Sequence, residues 1–395
     1  MTKTSIKKEA LAAHKKRQGK IEIAGRAPLR NKKDLSLYYT PGVAAVSSYV
    51  AAHKKAVRDY TLAGRTVAVV SDGSAVLGLG DIGPEGALPV MEGKALLFKE
   101  FGGIDAFPIV LKAHAADEIV AVVKAIAPGF GGINLEDIAA PKCFEVEERL
   151  INELNIPVMH DDQHGTAVVV LAGLINAFKV VGKDIKKGIV AVIGAGAAGT
   201  AITKLLALYG VGDVIVVDIR GIIDPERSDL DGRKKELARL TNKNGKKGGL
   251  PEALDGADAV IGVSKGGTLS ADHIRRMAEK AIVFAMANPD PEILPEKAKA
   301  AGAKIVATGR SDFENQINNV LAFPGIFKGA LENKVQRITP EMKIKAAEKL
   351  AGLVSKPTAS KIIPSVFDKR VVKAVAGAVK IQSAKLKAKN KKTQR

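Results

Sequence analysis

The chain has no tryptophan, and aromatic residues make up only 4% of it. Proteins that hold single-stranded nucleic acid stack bases on aromatic platforms, so such surfaces are poorly supplied here. It holds one cysteine, Cys143, which excludes an internal disulfide framework and suits a reducing, cytoplasmic setting. Long apolar runs are scarce as well. Thr166–Phe178 is too short to cross a bilayer, and Ile189–Tyr209 is broken by glycines and Lys204, so no membrane-spanning helix is expected. Met1 to Lys20 is basic and lacks the apolar stretch of a secretory leader. Acidic residues are outnumbered, 42 against 61 Lys and Arg, giving a formal net charge of +19. Much of that excess sits at the ends: Lys3, Lys7, Lys8, Lys15, Lys16, Arg17 and Lys20, then Lys385, Lys387, Lys389, Lys391, Lys392 and Arg395. Terminal basic runs are usually solvated arms. Loose polyanion attraction at low salt is expected, without a specific nucleic-acid partner.

What is present is ample material for cores: 395 residues, 46% of them hydrophobic, enough for two or three domains. Strand-like and helix-like segments alternate, the pattern of an α/β architecture with largely parallel sheets. Strands are expected near Thr66–Ser71, Ala106–Leu111, Gly131–Leu135 and Pro157–His160, with helices at Pro41–Asp59, Pro89–Phe101, Ala115–Ala127 and Pro141–Leu154. A second series follows near Val190–Ile193, Val214–Val217, Ala259–Val263, Ile282–Ala285 and Lys304–Ala307. Thr166–Val181 reads as the helix joining the two units. The expected domains are therefore 1–163, 164–330 of Rossmann type, and a mostly helical 331–395 that packs back on the first domain.

The segment Gly188–Asp218 carries the sharpest signal. Gly194, Ala195, Gly196, Ala197, Ala198 and Gly199 form a G-x-G-x-x-G turn between a β-branched strand and a helix. The three glycines allow a tight turn, backbone approach to a pyrophosphate and close helix–strand packing, and the helix N-terminus offers free N–H groups. Asp218 ends the next strand, where a carboxylate can bind ribose hydroxyls. A nicotinamide or flavin dinucleotide is expected.

Ligands of open α/β sheets sit beyond the carboxyl ends of the strands, so polar residues there are candidates. Tyr39 precedes Thr40-Pro41-Gly42, a helix entry that would hold a phenol rigidly; a packed tyrosine with a wet hydroxyl fits as well. Lys94 has the apolar helical neighbours Val90, Met91, Leu97 and Phe98. Desolvation there lowers its pKa toward the range of a general base, although a snorkelling lysine is the alternative. Glu136-Asp137 and Asp161-Asp162 each follow a strand. Helix capping would explain a carboxylate of each pair. Convergence of all four would instead demand a cation, and an all-oxygen set favours magnesium or manganese. His160 and His164 flank the second pair, but neither a cysteine pair nor an H-E-x-x-H pattern supports zinc. In the second unit Asn288, before Pro289, and Asn318-Asn319 offer amides for a carboxamide or carboxylate, and turn chemistry alone accounts for Asn288 equally.

Taken in order, Tyr39-Thr-Pro-Gly-Val43, Ser71-Asp-Gly-Ser-Ala-Val-Leu-Gly-Leu-Gly-Asp-Ile-Gly83, Glu92-Gly-Lys94, Asn134-Leu-Glu-Asp137, His160-Asp-Asp-Gln-His-Gly-Thr166 and Asn318-Asn-Val-Leu-Ala-Phe-Pro324 resemble the malic enzymes in their short bacterial and archaeal form. The resemblance runs from about Gly19 to Lys380. It implies NAD(P)-dependent oxidative decarboxylation of malate to pyruvate and CO2 by a homodimer. The implied acid is Tyr39 and the implied base Lys94, with Glu136, Asp137 and Asp162 on magnesium or manganese and Asp161 supporting them. Asn288, Asn318 and Asn319 are the implied substrate amides, Asn288 also serving the cofactor. Two departures stand out. Ser74-Ala75 occupy the place where large eukaryotic-type members carry a malate-binding arginine, and no phosphotransacetylase-like C-terminal domain is present in these 395 residues. Asp218 favours NAD, since a carboxylate repels a 2′-phosphate, while Arg220 could accept one.

Overall fold

The structure is a computed structural model that describes residues 3–76 and 78–393, without the side chains of residues 3–5 and 389–393. Leu77, Arg395 and the side chains of Lys3, Lys389, Lys391 and Lys392, named above, lie outside the described residues. The chain opens with α1 (Lys3–Arg17), α2 (Lys32–Tyr38), α3 (Gly42–Ala52) and α4 (Val57–Tyr60). From Ile6 to Leu62 no side chain is buried, so these helices form an arm rather than a core. The helix expected over Pro41–Asp59 is interrupted at His53, and Thr40 caps nothing: α3 is preceded by Pro41 with no side-chain cap.

The first sheet contains β1 (Thr66–Ser71), β2 (Asp105–Val110), β3 (Gly132–Leu135) and β4 (Val158–His160) in the order β2-β1-β3-β4, all parallel. Its inner strands β1 and β3 are buried on both faces, as parallel strands must be when helices cover each side, while the edge strand β2 is half-buried. The covering helices are α5 (Gly83–Leu97), which runs into a wider π-type turn at Phe98–Gly102, α6 (Ala116–Ile126) and α7 (Lys142–Glu153).

Next comes α8 (Asp161–Val181), 21 residues that are long and apolar enough to cross a membrane yet lie mostly buried inside the protein. The boundary expected near residue 163 thus falls within this helix. The second sheet follows: β5 (Ile189–Ile193), β6 (Asp213–Asp218), β7 (Gly221–Ile222), β8 (Ala259–Gly262), β9 (Ile282–Ala285) and β10 (Ile305–Thr308), ordered β10-β9-β8-β5-β6-β7. Only β7 is antiparallel to its neighbour. Helices α9 (Ala197–Tyr209), α10 (Gly232–Leu240), α11 (Leu250–Leu254), α12 (Ala271–Arg275) and α13 (Pro295–Ala300) connect the strands. The strand order reverses between β5 and β8, which opens the ligand crevice at their carboxyl ends.

The last elements are α14 (Phe323–Glu332), α15 (Pro340–Ala351) and α16 (Arg370–Thr393). Phe323 and Phe327 of α14 pack edge-on against Phe98 of the first unit, and Lys328 donates to the Gly102 carbonyl at 3.1 Å. One core joins Val67 and Val69 of β1, Phe98, most of α8 and the inner faces of α14–α16.

Candidate functional site

Lys94 sits on the buried stripe of α5 with Met91 and Ala95. Its Nζ lies 2.7 Å from Asp161 Oδ2 and 2.7 Å from Glu136 Oε1, and 4.4 Å from the centre of the Phe323 ring. Burial works to lower the ammonium's pKa, but the Asp161 and then the Glu136 carboxylate outweigh it and hold Lys94 well above the usual lysine range. The expectation of a neutral lysine is corrected: its stripe desolvates it, while β3 and β4 deliver two carboxylates to its tip. Those carboxylates are perturbed in turn. Burial, against the pull of Lys94, raises Asp161 to about 6. Burial also lifts Glu136 well above the carboxylate range, with Asp162, Asp161 and Asp137 adding repulsion against the attraction of Lys94.

Helix capping does not explain the acidic pairs. The residue capping α8 is His160 and that capping α7 is Pro141, neither with a side-chain cap bond. Instead one oxygen each of Glu136, Asp137 and Asp162 lies within 4.8 Å of the others. Asp137 adopts a left-handed backbone (φ 53°) and donates its N–H to Asp162 Oδ2 at 2.8 Å, which ties the end of β3 to the start of α8. Glu136 is steadied by Asn134 Nδ2 at 2.9 Å. Asp161 Oδ1 and Asn134 Oδ1 are buried without a hydrogen-bond partner. Clustered carboxylates beside orphaned oxygens fit a hard divalent cation such as Mg2+ or Mn2+. His160 presents Nδ1 3.7 Å from Asp162, whereas His164 is committed to Glu147 at 3.0 Å. Gly165 is required here: a Cβ would come 1.8 Å from Asp161 Oδ1.

Behind this centre lies a residue that sequence reasoning missed. Glu147 on α7 is buried and accepts from the His160 N–H at 2.7 Å, Gln163 Nε2 at 3.2 Å and His164 Nε2 at 3.0 Å. It therefore clamps the β4–α8 junction that carries Asp161 and Asp162. Burial pushes its carboxyl up, but the opposing pull of His164 brings it to about 2. The signal was available, since Cys143, Val146, Glu147 and Leu150 form one buried stripe on α7.

The glycine turn closes β5 onto α9. Gly194 has φ 109°, and a Cβ on Gly199 would sit 1.7 Å from the Gly194 carbonyl. A Cβ on Gly196 would meet nothing within 4 Å, so its backbone faces open space, as a phosphate cradle requires. Gly194, Ala195 and Asp218 line a cleft of about 850 Å3. Asn288 stands exposed beyond β9, where a Cβ on Gly78 would come 2.2 Å from its carbonyl, so the Ser71–Gly83 loop abuts it. The Asn318 side chain accepts from the Val320 N–H at 3.0 Å, and Asn319 abuts Gly165 on α8. Tyr39 is not gathered in with them. It follows α2 on the arm, 66% exposed.

Similarity to known proteins extends along nearly the whole chain. Residues 18–151 match the family model of the malic enzyme N-terminal domain, and residues 163–385 that of the malic enzyme NAD binding domain. The bifunctional malic/malolactic enzyme of Bacillus subtilis is 55% identical over 95% of this chain and 92% of its own length. The crystal structure of the NAD-dependent malic enzyme of Thermotoga maritima superposes with a TM-score of 0.91 at 51% identity, covering 94% of this chain and 98% of that one. The malic enzyme of Pyrococcus horikoshii gives 0.93 at 50% identity, covering 96% and 91%. Matched by the models of both domains over most of its length, and by relatives at 50% identity or more, the chain belongs to the malic enzyme family.

Proposed function

We propose that this protein oxidises (S)-malate to pyruvate and CO2 with reduction of NAD(P), and that Lys94, Tyr39, Asp161 and the Glu136–Asp137–Asp162 triad carry the chemistry. The observation that bears most weight is the buried Lys94, held 2.7 Å from each of two carboxylates beside that triad. Glu136, Asp137 and Asp162 would hold the divalent metal, which when bound polarises the substrate's C2 oxygen as a Lewis acid. Were Glu136 engaged by that metal, Lys94 would keep Asp161 as its main ion partner and would pass its ammonium proton to that carboxylate more readily. Neutral Lys94 then accepts the C2 hydroxyl proton while the C2 hydrogen leaves as hydride to the nicotinamide. Asp161 orients the amine throughout. Loss of CO2 from the carboxyl on C3 leaves an enolate, and a phenol at Tyr39 supplies the proton to C3. Asn288, Asn318 and Asn319 are the amides assigned to substrate and nicotinamide.

The reading includes a homodimer. The arm exposes Leu35, Leu37, Val43 and Val46 alongside Tyr39, an apolar surface that a second copy would cover, enclosing the phenol. The compartment it suits is the cytoplasm, where the single buried Cys143 stays reduced. The test is an assay of dinucleotide absorbance with L-malate and Mn2+, run alongside CO2 release. Equal yields of reduced dinucleotide and CO2, abolished by thorough chelation, are expected. Activity that survives chelation would sink the metal assignment, and reduction without CO2 would reduce the protein to a simple hydroxyacid dehydrogenase.

A further inference from the structure

Residues 72–82 join β1 to α5 and hold none of the groups assigned to the chemistry, yet the start of this loop is fastened to the acidic centre. Asp72 is buried, 1% exposed. Its Oδ1 accepts from the Ser74 N–H at 3.1 Å and from the Ser74 hydroxyl at 2.6 Å. Its Oδ2 accepts from the ammonium of Lys142, the first residue of α7. With its one proton given to Asp72, the Ser74 hydroxyl keeps lone pairs to accept with, and it takes the Ala139 N–H at 2.9 Å. The next residue, Ala75, donates its N–H to the Asp137 carbonyl at 2.9 Å. Gly73 makes the turn possible: it has φ 73°, and a Cβ there would come 2.1 Å from the Gly83 carbonyl.

These bonds close around one residue. Asp137 holds a left-handed backbone at φ 53°, a conformation that a residue with a Cβ keeps only where its surroundings impose it. Its N–H is taken by Asp162 and its carbonyl by Ala75. Two residues on, Ala139 is pinned through Ser74 to Asp72. The backbone is thus held on both sides of the Asp137 carboxylate. Ser74 is the joint of this brace, because its hydroxyl gives to Asp72 and receives from Ala139 at once. Lys142 neutralises Asp72, so the anchor adds no unpaired negative charge beside the acidic triad.

We propose that Ser74 is a positioning residue of the metal site: through Ala139 and Asp72 it holds the left-handed turn that aims the Asp137 carboxylate toward Glu136 and Asp162. It acts through Asp137 and is not itself a ligand. This rests on the reading that Glu136, Asp137 and Asp162 hold a divalent metal. The competing role for the same hydroxyl is a turn closure that stiffens the β1–α5 loop and leaves the metal set untouched.

The test is calorimetric titration of Mn2+ into the intact protein and its Ser74→Ala and Ser74→Thr variants, with NADH titration by fluorescence and thermal unfolding alongside. Removing an outer partner of a metal ligand weakens binding about 10–100-fold. Ser74→Ala should therefore bind Mn2+ about tenfold more weakly while its NADH dissociation constant stays within about threefold. Ser74→Thr keeps the hydroxyl and should hold Mn2+ within about threefold of the unaltered protein. Undiminished Mn2+ affinity in Ser74→Ala, even with a lowered unfolding temperature, overturns the inference and leaves the turn closure. Equal losses of Mn2+ and NADH would mark a general loosening and overturn it as well. If the unaltered protein takes up no Mn2+, the metal reading itself falls and the positioning role with it.

Discussion

Two buried lysines, one in each half of the chain, show how the same burial leads to opposite outcomes. Lys94 on α5 and Lys343 on α15 both stand in apolar stripes, Lys343 among Met342, Ala346, Ala347 and Leu350. Burial pushes both pKa values down. Around Lys94 two carboxylates at 2.7 Å reverse that push. Lys343 feels only Glu147, whose oxygens already accept from His160, Gln163 and His164, and it settles at about 8. Burial fixes the direction in which a lysine is pressed; the carboxylates within contact decide whether it yields. A lysine that starts strongly cationic can be released by drawing one carboxylate away, which a lysine with a single distant partner cannot match.

The strongest way to break this contrast is Lys94→Ala. It removes the proposed base and leaves Asp161 and Glu136 unpaired, so malate oxidation should fall at least about a hundredfold, while NADH binding followed by fluorescence is retained. A loss of under about threefold in initial rate would make Lys94 as structural as its counterpart. Asp162→Asn comes next. The amide oxygen can still accept from the Asp137 N–H, so the fold should hold, but Mn2+ affinity measured by calorimetry should drop about 10–100-fold. Unaltered Mn2+ binding would remove Asp162 from the metal set.

Glu147→Gln sharpens the second half of the comparison. The carboxyl sits at about 2 in the fold against an ordinary 4.5. A depressed carboxylate contributes stability that is present above about 4.5 and is lost as pH falls toward about 2. Urea denaturation of the unaltered protein should therefore lose on the order of 1–3 kcal/mol more than the variant across that window. Parallel acid limbs would show that Glu147 carries no such linkage. Lys343→Met comes last, with an effect of comparable size at the alkaline end. The folded lysine, at about 8 against 10.5, binds fewer protons than the unfolded chain between those values. Stability of the unaltered protein should thus rise with pH across that interval by on the order of 1–3 kcal/mol relative to the variant.

Much of this was legible from short-range pattern. The β-branched runs set β1 and β9 at the residues expected, and the glycine turn needed only its two flanking strands. The four acidic residues stood out because strand ends are short and locally marked. What could not be read was pairing across the chain. Nothing near Lys94 announces Asp161, and the apolar stripe that suggested a neutral amine says nothing of its charged partners. Arg227 and Lys234, which pair with Asp218 at 2.9 and 2.6 Å, follow it in a stretch with no pattern tying them to it, so the carboxylate looked free. The arm misled differently: His53 breaks a helical run whose composition continues through it, and exposure of Tyr39 is a property of packing that no local spacing encodes.

The helix α8 begins with Asp161 and Asp162 straight after β4 and then runs buried against α9 and α15, while Glu136 and Asp137 follow β3, the neighbouring strand of the same sheet. The acidic cluster therefore needs no agreement between the two sheets to keep its shape: adjacent strand ends of the first sheet set it, and the Asp137 N–H ties them at 2.8 Å. What lies along the chain between that cluster and the glycine turn is the whole length of α8 and then β5, so this one helix serves as the ruler that spaces the two halves of the site.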